Sequence, residues 1–316
     1  MSEKKQHKSK IGGQALIEGI MMKGVRTSAM ACRLPDGTID VETWEDNNGA
    51  DAPWYKKTPF IRGTFNFVSS LISGYKCLMK SADKQMTDDE EPESKFDIWL
   101  TEHLGEKITG IVSVVALIIG LAMSLFLFKF IPTVATKSLV DIPVLRTFLE
   151  GILKIVIFIC YIAITARMKD IRRTYEYHGA EHKTIACLES GQELTVANVK
   201  TNSRFHPRCG TSFILISLFI SILVFCFIPK FASFNSTAAI FIRLGLQILL
   251  LPVILGFSYE LIRLAGRKDN AFTRAISAPG LKLQRLTTRE PDDSQIEVAI
   301  AAIKPCIPEK LEEDNW

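Results

Sequence analysis

Two histidines four residues apart, with a glutamate directly before the second, stand in the run Tyr175-Glu176-Tyr177-His178-Gly179-Ala180-Glu181-His182-Lys183. On a helix, positions i and i+4 share one face a turn apart, so His178 and His182 can bind one ion together. The order H-x-x-E-H matches the zinc-protease type, in which two imidazoles ligate the metal and the glutamate works on bound water; Glu181 is then the candidate catalytic base. A short way downstream, His206-Pro207-Arg208-Cys209 offers further nitrogen and sulfur ligands of the kind zinc accepts. The metal set read from the sequence is thus His178, His182, His206 and Cys209. Mixed N and S donors favour zinc, although iron or another divalent transition metal fits the same ligands. Against this stands a plainer reading, a polar histidine pair on a surface helix that Gly179 weakens.

The elements that must carry these residues are set by the solvent. Of 316 residues, 47% are hydrophobic, and they are gathered in long runs of the kind that cross a bilayer. Four spans are expected: Ile108 to Ile131, Val144 to Ala166, Ser212 to Ile228, and Thr237 to about Ala265. Lysines and arginines crowd the segment between the second and third spans and are sparse in the other two connections, which puts that segment in the cytoplasm. With an even number of spans both termini join it there. The fold class expected is mainly α: a polytopic membrane protein of about four transmembrane helices with a cytoplasmic α+β portion. It divides into a cytoplasmic region 1–107, a membrane region 108–266 that includes the His/Cys loop 167–211, and a cytoplasmic tail 267–316.

A net charge of +4 follows from that topology and gives little reason to invoke nucleic acid. The seven cysteines form no disulfide framework. The basic start of the chain leads into glycines rather than an apolar leader core, so no cleaved secretory leader is expected.

In chain order, Ile11 to Gly24 is glycine-flanked, with Gln14 and Glu18 on one face if its middle is helical. Glu18 in so apolar a run needs a partner: a metal, a histidine N–H, or Lys23 or Arg26. Pro35-Asp36-Gly37 marks a hairpin between 27–34 and 38–44. Phe60 to Lys80 reads as an amphipathic stretch along the inner membrane surface, and Asp83 to Ser94 as a solvated acidic linker. Arg146, Glu150 and Lys154 read as paired interfacial charges. Residues 191–196 resemble a turn into a short strand, and 281–286 a short alternating run. Asp292, Asp293 or Ser294 caps a terminal helix through Ile303. Tyr259 and Glu260, near the inner end of the last span, can approach the histidines. Glu18, Gln14, Tyr177 and Glu260 are therefore the further candidates for contact with the ligands or a substrate.

The runs G-G-Q-A-L-I-E-G-I-M-M-K-G, Y-H-G-A-E-H-K-T-I, H-P-R-C-G-T-S-F and P-G-L-K-L-Q-R-L-T-T-R-E-P together resemble the YqhQ-like family of bacterial integral-membrane proteins, from about Ile11 to Ile303. That family is a domain of unknown function commonly labelled a predicted metal-dependent enzyme. The resemblance directs interest to Glu18, His178, Glu181, His182, His206 and Cys209.

Three functional classes remain open from the sequence. The first is a metal-dependent hydrolase at the cytoplasmic membrane surface, acting on a peptide or lipid-derived substrate with Glu181 as base. In the second, all four ligands close round zinc as a structural clasp in a membrane scaffold or assembly factor. The third is a transporter or ion-handling protein. The partners expected are membrane lipid and a membrane-proximal peptide or amphiphile.

Overall fold

A computed structural model describes residues 7–49, 52–86, 108–137, 139, 141–228, 237–268 and 270–314. It is mainly helical, with one small sheet. Four strands, β1 (Gly12–Leu16), β2 (Gly19–Lys23), β3 (Thr27–Arg33) and β4 (Ile39–Glu45), form an antiparallel meander in sequence order. The hairpin read from Pro35-Asp36-Gly37 is the β3–β4 connection. The glycine-rich run, where Gln14 and Glu18 would share a face only in a helix, supplies β1 and β2 instead, turning tightly at Glu18 with φ 48°. Both faces of this sheet are covered, so its central strands read as continuous apolar runs rather than an alternating pattern.

On one face, Ile20, Met22, Ala29 and Ala31 pack against Tyr177, Ala180, Ile296 and Ile303. These come from two helices, Lys169–Glu189 and Asp293–Ile303. On the other face, Leu16, Met21, Met30 and Cys32 meet Cys77. Numbering the helices in chain order, α1 is Trp54–Lys57 and α2, which carries Cys77, is Ile61–Asp83. The alternation of strand side chains then decides which residues can reach the histidines: odd positions of β1 face the histidine helix and even ones face α2. The acidic linker read at 83–94 lies, from residue 87 on, outside the described residues.

Helix α3 (Ile108–Leu125) runs through one π turn, Phe126–Phe130, into α4 (Ile131–Lys137), and α5 is Pro143–Thr165. The histidine helix α6 (Lys169–Glu189) is followed by α7 (Val196–Thr201), α8 (Gly210–Phe225), α9 (Thr237–Arg267), α10 (Ala271–Thr287) and α11 (Asp293–Ile303). Among the described residues, three stretches are long and apolar enough to cross a membrane: Val114–Lys137, Pro143–Thr165 and Ile242–Arg267. The expected third span corresponds to α8, which at 16 residues is shorter than those three. It is apolar all round and packed among α5, α9 and α10, as a central bundle helix must be. Helix α2 packs its first turns on α9, where Thr64 donates to the Pro252 carbonyl, and its last turns under β1, where the Ile17 N–H donates to Ser81.

Two further expectations are corrected. Residues 191–196 lead not into a strand but into α7, because Thr195 caps that helix, accepting from the Asn198 N–H. The alternating run at 281–286 lies inside α10, whose capping box is built by Asn270 and Thr273. Its buried face, Gly280, Leu283, Gln284 and Thr287, has helical spacing but is made largely of small and polar residues, so the leucines alone give a misleading period. The terminal helix α11 starts where it was read, with Asp292 accepting from the Gln295 N–H.

Candidate metal centre

Helix α6 runs unbroken through Gly179. At this position the Arg289 carbonyl approaches so closely that a Cβ would lie 1.9 Å from its oxygen. Glycine here serves packing, letting the chain after α10 lie on α6, where the Arg289 N–H donates to the Tyr175 carbonyl at 2.8 Å. That docking fixes the first imidazole, since His178 Nδ1 sits 2.8 Å from the Thr287 carbonyl. His182 Nδ1 is likewise 2.7 Å from the Arg204 carbonyl. A carbonyl can only accept, so both rings carry their proton on Nδ1 and keep Nε2 for another partner.

Those nitrogens converge with the thiol of Cys209, the residue at the N-cap position of α8. His178, His182 and Cys209 each present one ligand atom, all within 4.8 Å of one another. Cys209 Sγ lies 3.3 Å from His178 Nε2, and the two imidazole centroids are 4.4 Å apart. Burial pushes the Cys209 thiol up, but His178 and His182 overcome it and hold the group well below the usual thiol range. For His178, burial pushes the imidazole down, and the Cys209 thiolate, with help from Glu181 and the Thr287 carbonyl, brings it up to about 9. Without an ion the pair is a thiolate beside an imidazolium; a bound cation would take the place of the His178 Nε2 proton, leaving the thiolate and neutral imidazoles that a zinc ligand set requires.

Glu181 reaches the cluster from the opposite side of the sequence pattern. Its Oε1 accepts the Gly13 N–H at 3.0 Å, a donor on the open edge of β1. A Cβ on Gly13 would lie 2.9 Å from the Glu181 carboxyl carbon, so glycine is needed for this approach. The other oxygen, Oε2, is buried without a hydrogen-bond partner among the described residues. Burial pushes the carboxyl up, more than His178 and His182 pull it down. A carboxyl held above its usual range beside the ligands is the kind of group acid–base work uses.

The fourth metal candidate is held otherwise. The His206 ring centroid is 5.6 Å from that of His182, and its Nε2 accepts from Arg208 at 3.2 Å. Glu189 lies 3.7 Å from the same nitrogen, a charge contact beyond hydrogen-bond length, and itself pairs with Arg208. Burial pushes the His206 imidazole down, consistent with a neutral ring accepting from Arg208. The backbone of His206 is gripped by Gln284, whose amide accepts from its N–H at 2.8 Å and donates to its carbonyl at 2.7 Å and to Ser212 at 3.0 Å.

The other residues singled out in the sequence lie elsewhere. Glu18 is clasped by both nitrogens of the Arg173 fork and accepts from the Tyr177 hydroxyl at 3.1 Å. Tyr177 thereby uses its hydroxyl on the turn, with its ring buried in the sheet core, where burial and Glu18 push the phenol up. Gln14, on the even face of β1, lies against Gly74 of α2. Glu260 is bound by Arg62 at 2.7 and 2.5 Å and by the Phe60 N–H. Sequence reading passed over Gly13, Arg204, Gln284 and Thr287. Gly13, Gln284 and Thr287 do lie in motif runs, but the Arg204 and Thr287 contacts are made by backbone carbonyls, which no residue type announces.

The family described as "Protein of unknown function (DUF1385)" matches residues 58–309. The chain is 32% identical over 314 residues to a Bacillus subtilis (strain 168) protein described as "Uncharacterized protein YqhQ", covering 96% of this chain and 94% of that one. No solved structure matches. With the histidine helix and the H-P-R-C loop inside the family match, and the relative aligned over nearly the whole chain, the chain belongs to the DUF1385, YqhQ-like family.

Proposed function

We propose that this protein is a metal-dependent hydrolase, with zinc held by His178, His182 and Cys209 at the cytoplasmic membrane surface. The single observation that carries the reading is that three ligands converge while the buried Glu181 Oε2 beside them has no hydrogen-bond partner among the described residues. Catalytic zinc sites keep three protein ligands and an open position, whereas structural sites close with four. The scaffold reading needs His206 as the fourth ligand, and its Nε2 is engaged by Arg208.

When bound, the ion supplies Lewis acidity, making water a usable nucleophile near neutral pH. The chain's own residues do the rest. The Thr287 and Arg204 carbonyls fix both imidazoles in the tautomer that presents Nε2, an arrangement that also raises ligand basicity. The Gly13 N–H holds Glu181 by one oxygen, and Oε2 is left to take a proton and return it to a leaving group. Cys209 stands at the N-cap position of α8, whose apolar body continues into the bundle, so the centre adjoins the membrane region and suits a peptide or lipid-derived substrate anchored there. In this reading α8 is a fourth span, the termini and the His/Cys loop share the cytoplasm, and the localisation is the inner membrane.

The test pairs metal content with turnover on a panel of membrane-anchored peptides and phospholipid esters. Wild-type protein should carry about one equivalent of metal and cleave at least one class, and Glu181→Gln should keep the metal while losing about 10²–10⁴-fold in rate. Metal-loaded wild type that cleaves nothing on the panel, or a fully active Glu181→Gln, would overturn the hydrolase reading.

A further inference from the structure

At the other end of α8, about thirteen residues or roughly 20 Å from Cys209 at 1.5 Å per residue, Ile222 packs on Gly151 of α5 beside a second polar cluster. Its centre is Glu150, only 2% exposed. Arg146 Nε and Arg243 Nη2 approach the carboxylate at 3.5 and 3.6 Å, and Thr136 donates to it at 3.4 Å. Lys129 donates to Gln247 at 3.0 Å, and Lys129 and Lys154 both act electrostatically on Glu150 and Arg243.

Two guanidinium groups therefore contact one carboxylate and two lysines stand within electrostatic range of it, on helices apolar enough to cross a membrane. One guanidinium would neutralise Glu150. Each further charge held in a low-dielectric slab is costly unless an anion accompanies it. The donors are also incompletely used: among the described residues the buried Arg243 Nε has no hydrogen-bond acceptor, and the buried Arg146 Nε has only its long contact to Glu150. A narrow cleft, about 20 Å³, opens among these groups, lined by Glu150, Lys154, Ser221, Arg243 and Gln247. Lys129 stands in the π turn Phe126–Phe130 and reaches the cleft through its bond to Gln247 of the lining, and such bulges in otherwise regular helices recur at functional sites.

We propose that this cleft binds a phosphate group, carried by an anionic phospholipid or free in solution. Guanidinium forks recognise several oxygens of one anion at once, and the two ammonium groups add charge without fixed direction. Glu150 limits the positive charge and orients the two arginines while the cleft is empty. The site lies across the bundle from the His/Cys centre and does not depend on that centre being catalytic.

The experiment is native mass spectrometry of the full chain in detergent, titrated separately with phosphatidylglycerol, phosphatidylcholine and inorganic phosphate. Wild type should retain phosphatidylglycerol over phosphatidylcholine, or bind inorganic phosphate, and competition between the two probes identifies the shared cleft. Saturable phosphatidylglycerol binding that phosphate weakens names the lipid as the source; phosphate binding without lipid preference names the free ion. Arg243→Gln and Lys154→Gln should each weaken binding by roughly tenfold. Glu150→Gln, which removes a negative charge at similar shape, should tighten it, and it supports or sinks the proposal even if an arginine variant fails to fold. No preference for either anionic probe over phosphatidylcholine, affinities unchanged in Lys154→Gln, or weaker binding in Glu150→Gln would overturn it.

Discussion

His178, His182 and Cys209 differ from His206 in what their free atoms face, and single substitutions should separate them. His178→Ala, His182→Ala and Cys209→Ala should each purify without metal, whereas His206→Ala should retain it, as read by elemental analysis. Loss of metal from His206→Ala at wild-type helix content would favour a closed four-ligand clasp. Gln284→Ala strands the His206 N–H and carbonyl in a buried place, and should cost about 1–3 kcal/mol and weaken metal binding, measured by unfolding with and without chelator. Gly179→Ala should be at least as harmful, because the Arg289 carbonyl has nowhere to go without moving Thr287, the partner of His178. The i, i+4 histidine pair was legible because residue type and helical period coincide there. The carbonyls that fix its tautomers were not, since any residue supplies a carbonyl and only the docking of 287–289 on α6 brings the right one.

At the scale of elements, α11 and β1 hold the histidine helix from two sides. Asp292→Ala removes the cap of α11 and should lower stability by about 1 kcal/mol without changing metal stoichiometry, checked by thermal unfolding. Gly13→Ala acts differently. It crowds Glu181 through β1, so metal should remain while the unfolding temperature falls and any turnover drops. Long apolar helices, the 27–45 hairpin and the capped terminal helix were readable because each carries a strong local signal. The strands β1 and β2 were not, because burial on both faces erases alternation. Helix α10 was misread because its buried stripe is small and polar.

At the scale of the whole molecule, the sheet, α6, α10 and α11 assemble the His/Cys centre at one end of a helical bundle, and the cluster round Glu150 lies toward the other. If α8 completes a fourth crossing, single cysteines introduced at Ser190 and Ser294 should be labelled from the same side of sealed vesicles, and one at Leu139 from the other; labelling of the Ser190 and Ser294 positions from opposite sides would refute that crossing. Removing the metal should lower the unfolding temperature, because an ion bound only by the folded chain stabilises it by mass action. Convergence of distant motifs was suggested by the sharing of one compartment, but which residues meet is decided by β1 register: odd positions reach Glu181 and even ones, including Gln14, face α2. The most direct measurement is X-ray absorption at the metal edge of the purified full chain. The account predicts two imidazole nitrogens, one sulfur and one light-atom ligand from solvent that responds to added anions or inhibitors. A shell of three imidazoles and one sulfur that excludes solvent, or protein that binds no metal, would contradict it.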